Sequence, residues 1–527
     1  MAGPSTTTPD PPDPHLAEAC DRVAGTAPGP WFQKVALSFD GGGVRGYWSL
    51  LVLQHLMLVI KEFETAEDGT IRSSFHPCEK PDNVSQLSNL NNAAAYTPFL
   101  PCHYFDYIGG TSTGALIAIL LSRFRMTVED CLKEYETMAG TVFGHPRIIH
   151  QMNVLARWTK YPTKYLEKAI REVIDRRVQV TIGDDIEPLF QTEIDTCRGI
   201  VLATRLLDGK TVNKRFLFRS YTPFSEKKRQ NSRSNDKLRQ NNPHDGIRIS
   251  LLKVARAGTA APFYFGHYHT LLSTAQEQAN GPIPTRNGTS FSRAGTNQGR
   301  KGKSHVPEGK SRFEFQDAGF STANNPCNEL YREIQSHHGD NVPILVSIGT
   351  ARPKEDFVGE GPKTNIKRAI ERLGNPEEVH EQLEDDKDEG KYVYFRLNDE
   401  EGIKIEMDEW KPKKGGRDTT TKMEREFRNW LQKDGVEEKF RECARRLVDS
   451  RRARMATSRW ERFALGQYFV CEVQNCPKDR DNQWLDRVDF ENHLAREHRK
   501  EDYKDGLEKT LDTCRRIFKY RARPESP

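Results

Sequence analysis

The chain is short of the features that announce a secreted or membrane-spanning protein. Ten cysteines are spread mostly singly over 527 residues, from Cys20 to Cys514. A secreted disulfide scaffold packs its cysteines into a far shorter chain, so a reducing compartment is expected. The opening stretch, Met1 to Pro30, is rich in Pro, Thr and Ala and has no basic patch followed by an apolar run, so no secretory leader is expected. No apolar stretch approaches the ~20 residues that a bilayer-spanning helix needs. The longest, Ser49–Ile60 and Ala115–Leu121, read as buried helices. An excess of one charge is also missing. The 80 Lys and Arg against 75 Asp and Glu leave a formal +5, too little for a general nucleic-acid binder. A soluble, cytoplasmic protein is expected.

What is there is a catalytic-sized body with polar interruptions. Hydrophobic residues make up 36% and charged residues 29%, a composition in which polar insertions dilute a good core. Residues 1–30 read as a disordered tail and 31–400 as the main domain, with polar insertions near 64–99, 222–246 and 275–311. Short apolar runs at Lys34–Phe39, Tyr104–Ile108, Ile200–Thr204, Arg215–Tyr221, Phe313–Gln316, Pro343–Ile348 and Tyr392–Leu397 read as strands. Helical stretches alternate with them: one runs to Phe63, others fill about 127–178, and another spans Ile249–Ala261. Alternating strands and helices predict an α/β sheet with helices on both faces. From about 400 the character changes. Val436, Phe440, Cys443 and Leu447 recur at helical spacing within a basic helical region, 401–465. Residues 466–505 form a further segment, and 506–527 a tail.

Three motifs carry chemistry. Gly110-Thr111-Ser112-Thr113-Gly114 lies where a strand meets an apolar helix, the setting of a nucleophile elbow. Gly110 and Gly114 permit the sharp turn, and the helix N-terminus favours negative charge developing at Ser112. A serine that merely caps the helix is the plainer reading. Asp40-Gly41-Gly42-Gly43-Val44-Arg45-Gly46 offers backbone N–H groups without side chains in the way, as an oxyanion requires. The same glycines also fit a dinucleotide turn, but that fold wants an acidic residue ending a strand ~20 residues on, and Lys61–Glu64 ends a helix. Asp317 follows a short strand and precedes Ala318-Gly319. A strand end is where a sheet enzyme displays catalytic groups, although a turn-forming aspartate is equally at home there.

Taken in order, these motifs resemble the patatin-like phospholipase family. So do Ala257-Gly258-Thr259-Ala260-Ala261-Pro262, the Asn324-Asn325-Pro326 that trails Asp317, and Ser347-Ile348-Gly349-Thr350, the whole running over roughly 34–355. The resemblance implies a three-layer α/β/α sandwich with a mostly parallel central sheet, and a Ser112–Asp317 dyad without a catalytic histidine. It also implies an oxyanion hole from Gly41, Gly42 and Gly43, and hydrolysis of lipid acyl esters through an acyl-enzyme that needs no cofactor. Arg45, Gly46, Gly110, Gly114 and Gly319 support the motifs, with Arg45 read as fixing the glycine loop. Two departures stand out: the residue after Asp317 carries a methyl group, tolerable if its φ is negative, and Thr259 replaces the family's serine. A Ser-His-Asp esterase is the competing assignment, with His267, His269, His337 and His338 as the histidines to weigh. A signalling or defence module built on the same fold is another.

Near the C-terminus, Cys471, Cys476, His493 and His498 have the residue types and spacing of a Cys2His2 structural zinc site, with both histidines expected on a helix Phe490–His498. Such a segment suits a protein partner or weak nucleic-acid binding. A hydrolase of membrane lipids must also reach its substrate as a peripheral protein, and the basic run Arg445–Arg462 is a candidate contact for phosphate groups.

Overall fold

The computed structural model describes residues 29–67, 71, 73–75, 99–146, 159–177, 187–191, 196–206, 214–221, 249–273, 310–339, 341–353, 374–412, 415–473, 476–477, 484, 486–499 and 506–517. The N-terminal tail and most of the three polar insertions expected from the sequence lie outside these residues.

The strands are β1 (Val35–Phe39), β2 (Tyr107–Thr111), β3 (Arg198–Leu206), β4 (Lys214–Arg219), β5 (Tyr268–Ser273), β6 (Lys310–Asp317), β7 (Ile344–Ile348), β8 (Val393–Leu397), β9 (Gln467–Phe469) and β10 (Arg515–Ile517). The helices are α1 (Gly46–Glu67), α2 (Thr113–Ala118), α3 (Val128–Phe143), α4 (Thr163–Arg177), α5 (Leu251–Gly258), α6 (Cys327–His338), α7 (Glu377–Asp385), α8 (Arg417–Leu431), α9 (Val436–Met455), α10 (Arg459–Leu465), α11 (Arg487–Glu497) and α12 (Leu507–Cys514). The first eight strands form one sheet in the order β5-β6-β3-β2-β1-β7-β8, with β4 on the free side of β3. Strands β3-β2-β1-β7-β8 are mutually parallel, while β4, β5 and β6 add antiparallel pairs.

Side-chain alternation divides the sheet into two buried faces. Val35, Leu37, Phe39, Val201 and Val346 join one apolar cluster, whereas Ala36, Tyr107, Ile200, Leu202 and Leu345 join the other. The first face is covered by α1 and by residues of α3, α4, α5, α8, α9 and α10, the second by α6 and α7. This is the three-layer α/β/α arrangement expected from the motifs.

Several expectations are corrected. Strand β2 starts three residues late, because Pro101–His103 makes a 3-10 turn. It then runs through Gly109 and Gly110, where a side chain at 109 would come within 2.5 Å of Leu330 on α6. Edge strand β5 was not anticipated, and β6 begins at Lys310, inside the stretch expected to be an insertion. The boundary at 400 falls within one continuous core: Phe440, Cys443, Leu447, Trp460 and Phe463 pack in the same cluster as β1 and α1.

Helix α1 also exceeds expectation. By length and composition Gly43–Ala66 is apolar enough to cross a membrane, with mean hydropathy 1.3, but 78% of its apolar window is buried inside the fold. Its apolar run is continuous once Gln54 and His55 are allowed for; His55 Nε2 sits 2.7 Å from Glu437 Oε2 on α9.

The basic run 445–462 is largely internal. Arg451 donates in a two-pronged pair to buried Glu64 near the end of α1, with Nη2–Oε2 at 2.8 Å. Arg454 Nη2 reaches Asp106 Oδ2 at 2.7 Å, and that oxygen also accepts the N–H of Val35 at the start of β1. Arg462 pairs with Asp486 at 3.4 Å. The Arg451 and Arg454 groups hold α9 to the end of α1 and the start of β1, Arg462 holds α10 to the C-terminal segment, and none of the three is available to a phosphate surface.

Removing one partner of a buried ion pair strands the other, at about 3–5 kcal/mol. Arg451→Leu should therefore destabilise the fold by roughly 3 kcal/mol, read as a lower urea midpoint by tryptophan fluorescence. Glu64→Leu/Arg451→Leu should recover much of that loss. A single variant that unfolds with the native chain would contradict the pairing.

Candidate active site

Ser112 follows the last residue of β2 and stands at the N-terminus of α2 with φ 57° and ψ −123°, a strained conformation for a side-chain-bearing residue. The strain is enforced by packing. A Cβ at Gly110 would lie 2.0 Å from the Gly114 carbonyl, so the strand-to-helix turn closes only with glycine there. The serine is half-buried, and Thr113, the next residue, begins the helix.

The sheet register brings Asp317 to it. Along one edge of β3, Leu202 pairs with Thr111, the last residue of β2; the next residue, Ala203, pairs with Asp317, the last residue of antiparallel β6. The two strands thus end against each other on a shared neighbour, and Ser112 and Asp317 emerge together. Ala318 then opens a 3-10 turn and is not among the positive-φ residues, so its methyl group is tolerated as expected.

Asp317 is fully buried. Oδ1 accepts the Gly319 N–H at 2.8 Å, while Oδ2 is buried without a hydrogen bond of standard geometry. Burial raises the carboxyl to about 7, against the opposing pull of the Ser112 hydroxyl and the Gly319 N–H. The serine is thus near enough to act on the carboxylate although no well-formed Ser112–Asp317 hydrogen bond is present. Catalytic hydrogen bonds of this kind commonly tighten when substrate binds.

The glycine loop lies alongside. A Cβ on Gly41 would meet the Ser112 Cβ at 2.9 Å, which sets how closely the loop approaches. The three amides are not equivalent. Gly41 N donates to Asn324 Oδ1 at 2.9 Å and so is committed within the protein. Gly42 N is held only loosely by Thr113 Oγ1 at 3.3 Å, and Gly43, with φ +60°, has its carbonyl fixed by the Tyr135 hydroxyl. Arg45 is buried and donates to the Ile405 carbonyl at 3.0 Å, so it ties down the loop. Gly46 begins α1 against Tyr135, Gly114 lies under the Phe39 carbonyl, and Gly319 packs beside Ser112.

Sequence reasoning did not single out four contributors. Asn324 clamps Gly41, and its Nδ2 donates to the Gly374 carbonyl at 2.7 Å. Tyr135, on α3, holds Gly43. Met407 accepts the Val44 N–H at 2.7 Å through its carbonyl, although it lies beyond the boundary placed at 400. Arg396, on β8, bonds Asp40 Oδ2 at 2.8 Å and Glu377 at 2.7 Å beneath the loop. Burial lifts Asp40 to about 6 even against Arg396. The trailing Asn-Asn-Pro was the only signal for any of the four.

Ser112 and Asp317 line an open apolar pocket whose other walls include Leu116, Met138, Val142, Phe143, Leu166 and Phe265. Gly43, Thr259 and Met407 also border it. The Thr259 hydroxyl is bonded back to the Ala255 carbonyl at 2.6 Å. Among the described residues, none that lines the cavity is a histidine. His267 Nδ1 lies 2.8 Å from Glu314 Oε1, and His269 lies 3.8 Å from the same carboxylate. His337 and His338 end helix α6, and His338 Nε2 bonds the Tyr107 hydroxyl at 2.8 Å, at the opposite end of β2 from Ser112. Cys471, Cys476, His493 and His498 also come together, but in the separate C-terminal cluster.

The sequence model of the patatin-like phospholipase family matches residues 37–331, more than half of the chain. The protein belongs to the patatin-like phospholipase family. Calcium-independent phospholipase A2-gamma of Rattus norvegicus is 24% identical over 234 residues, which cover 44% of this chain and 22% of that protein. The Homo sapiens protein of the same name is likewise 24% identical over 234 residues, with the same two shares. The matched region is therefore about a fifth of the length of these curated relatives.

A patatin-like site based on Asp317 has a definite pH signature. If the aspartate must be ionised to take a proton, hydrolysis should rise through about pH 7 and fall away on the acid side. Because its proton is held more tightly in the folded chain, stability is withheld as pH climbs from the ordinary carboxylate range towards 7. Asp317→Asn should therefore unfold later than the native chain at about pH 8, by roughly 3 kcal/mol, and no later at about pH 4. Urea titrations at the two pH values test this; equal midpoints at pH 8 would count against the raised carboxyl.

Proposed function

We propose that the protein hydrolyses carboxylic esters of glycerolipids, in the manner of a phospholipase A or lysophospholipase, with Ser112 as nucleophile and Asp317 as general base. The observation that carries this reading is the meeting of the two residues at the wall of an open pocket lined mainly by apolar side chains. The family and the relatives named as phospholipases A2 support a phospholipid as the substrate class.

In the first half-reaction the Ser112 hydroxyl gives its proton to the Asp317 carboxylate as Oγ bonds to the ester carbonyl carbon. The carbonyl oxygen becomes an oxyanion, received by the N–H groups of Gly42 and Gly43. Since Gly41 is committed to Asn324, the expected three-amide hole narrows to two. Collapse breaks the ester C–O bond, and the lipid alcohol leaves with the proton from Asp317. Water then gives a proton to Asp317 and attacks the acyl-enzyme; the fatty acid departs, and Ser112 Oγ recovers the proton. A carboxyl held near neutrality suits both directions of transfer.

Access to lipid would come from the rim. Phe263 is 55% exposed with φ 68°, immediately before the cavity residues Tyr264 and Phe265. An exposed phenyl ring at a lipid-binding mouth suits insertion into a membrane surface.

Fatty-acid release from phosphatidylcholine vesicles tests the dyad. Ser112→Ala and Asp317→Asn should each lose roughly 10³-fold or more, and hydrolysis equal to the native chain in both would end the proposal. Phe263→Ser should lower hydrolysis of vesicles several-fold while leaving a soluble short-chain ester unaffected. Equal loss on both substrates would assign the ring to the cavity and not to the membrane.

A further inference from the structure

The described residues between 467 and 517 share a small core of their own. Strand β9 pairs antiparallel with β10, Phe469 bridges Trp484, and α11 and α12 close over them through Phe490, Leu494 and Leu511. The unit therefore continues past residue 505, through twelve residues expected to be a tail. An apolar core this small seldom holds roughly 50 residues without a cross-link or a metal.

At its centre lie two thiols and two imidazoles. Cys471 and Cys476 follow β9, and the Cys476 N–H donates to the Val473 carbonyl at 3.3 Å. His493 is on α11. His498 is the residue that ends that helix, with φ −128° and ψ 147°, and does not continue it as expected. Cys471 Sγ is 3.3 Å from His498 Nε2, Cys476 Sγ is 3.5 Å from His493 Nε2, and the four ligand atoms all lie within 4.8 Å of one another. In a tetrahedral zinc shell the sulfur–nitrogen edge is ~3.6 Å. Cys471, His493 and His498 are buried and Cys476 half-buried. The Trp484 ring stacks on His493 with centroids 4.1 Å apart, which orients the imidazole.

We propose that Cys471, Cys476, His493 and His498 bind one Zn²⁺ in a closed structural site that holds residues 467–517 together. Two thiolates and two neutral imidazoles cancel the ion's charge, as burial demands, and this donor set favours zinc over the oxygen-seeking Mg²⁺ and Ca²⁺. With four protein ligands no position is open for substrate, so the ion takes no part in hydrolysis. Cys514 lies close, accepting the Glu472 N–H at 3.4 Å through Sγ, but is outside the set of four. The unit is joined to the catalytic body through α10, by the Arg462–Asp486 pair.

Metal content of the purified full-length chain, measured by mass spectrometry after zinc loading and removal of free metal, tests the assignment. The native chain and Cys514→Ser should each hold one zinc per chain, and Cys476→Ser and His498→Ala far less. Cys476→His, which keeps a zinc ligand, should retain the ion. All should keep ester hydrolysis, which reports that the catalytic body is folded. Cobalt in place of zinc should give the thiolate-to-metal and intense visible bands of tetrahedral S2N2 coordination. A native chain without zinc, a folded Cys476→His chain without zinc, or loss of zinc in Cys514→Ser alone would overturn the proposal.

Discussion

The site depends on how a single strand is shared. One side of β3 is taken up by β4; on the other, β2 runs as far as Leu202 and β6 takes over from Ala203. Because β2 is parallel to β3 and β6 antiparallel, both reach their final residues at the same point. Thr111 and Asp317 pair with consecutive residues of β3, and the backbone ladder sets the spacing of Ser112 and Asp317. A shift of one residue in either strand would turn its side chains to the opposite face.

The layers around that junction serve to bury it. With both faces of the sheet covered, Asp317 is withdrawn from solvent, and desolvation lifts its carboxyl towards neutrality. The loop that faces Ser112 is held from several directions at once, by Asn324, Tyr135, Met407 and Arg45. Donors intended for developing charge must already be in place, since reorganising them during reaction would cost rate. The arginines of α9 do the same at a distance, locking a long helix to the start of β1 and the end of α1.

Much of this was legible in residue order. The strand alternation of Val35–Phe39, the glycines around Ser112 and the strand before Asp317 are local patterns, and local patterns reflect backbone sterics that operate within a few residues. Pairing partners are different. Nothing near Asn324 says that its amide clamps Gly41, and Met407 lies in a segment whose composition pointed away from the site. The arginines misled for the same reason: Arg451 and Arg454 look like a basic surface until the acids that bury them, Glu64 and Asp106, are brought in from far along the chain. The unexpected strand β5 lies on the sheet edge, where tertiary pairing overrides weak local propensity.

By itself the sequence determined the chemical inventory: a serine on a glycine turn, an aspartate at a strand end, a glycine loop with unencumbered amides, and two cysteines and two histidines near the C-terminus. These follow from residue type and short spacing. Only the tertiary structure decided which of them meet. It joined Ser112 to Asp317 through β3, committed the Gly41 amide to Asn324, left the four histidines weighed for a triad out of the described cavity lining, and gathered Cys471, Cys476, His493 and His498 around one point. The physical reason is that sheet register and burial depend on contacts between residues distant in the chain, which no short stretch of sequence contains.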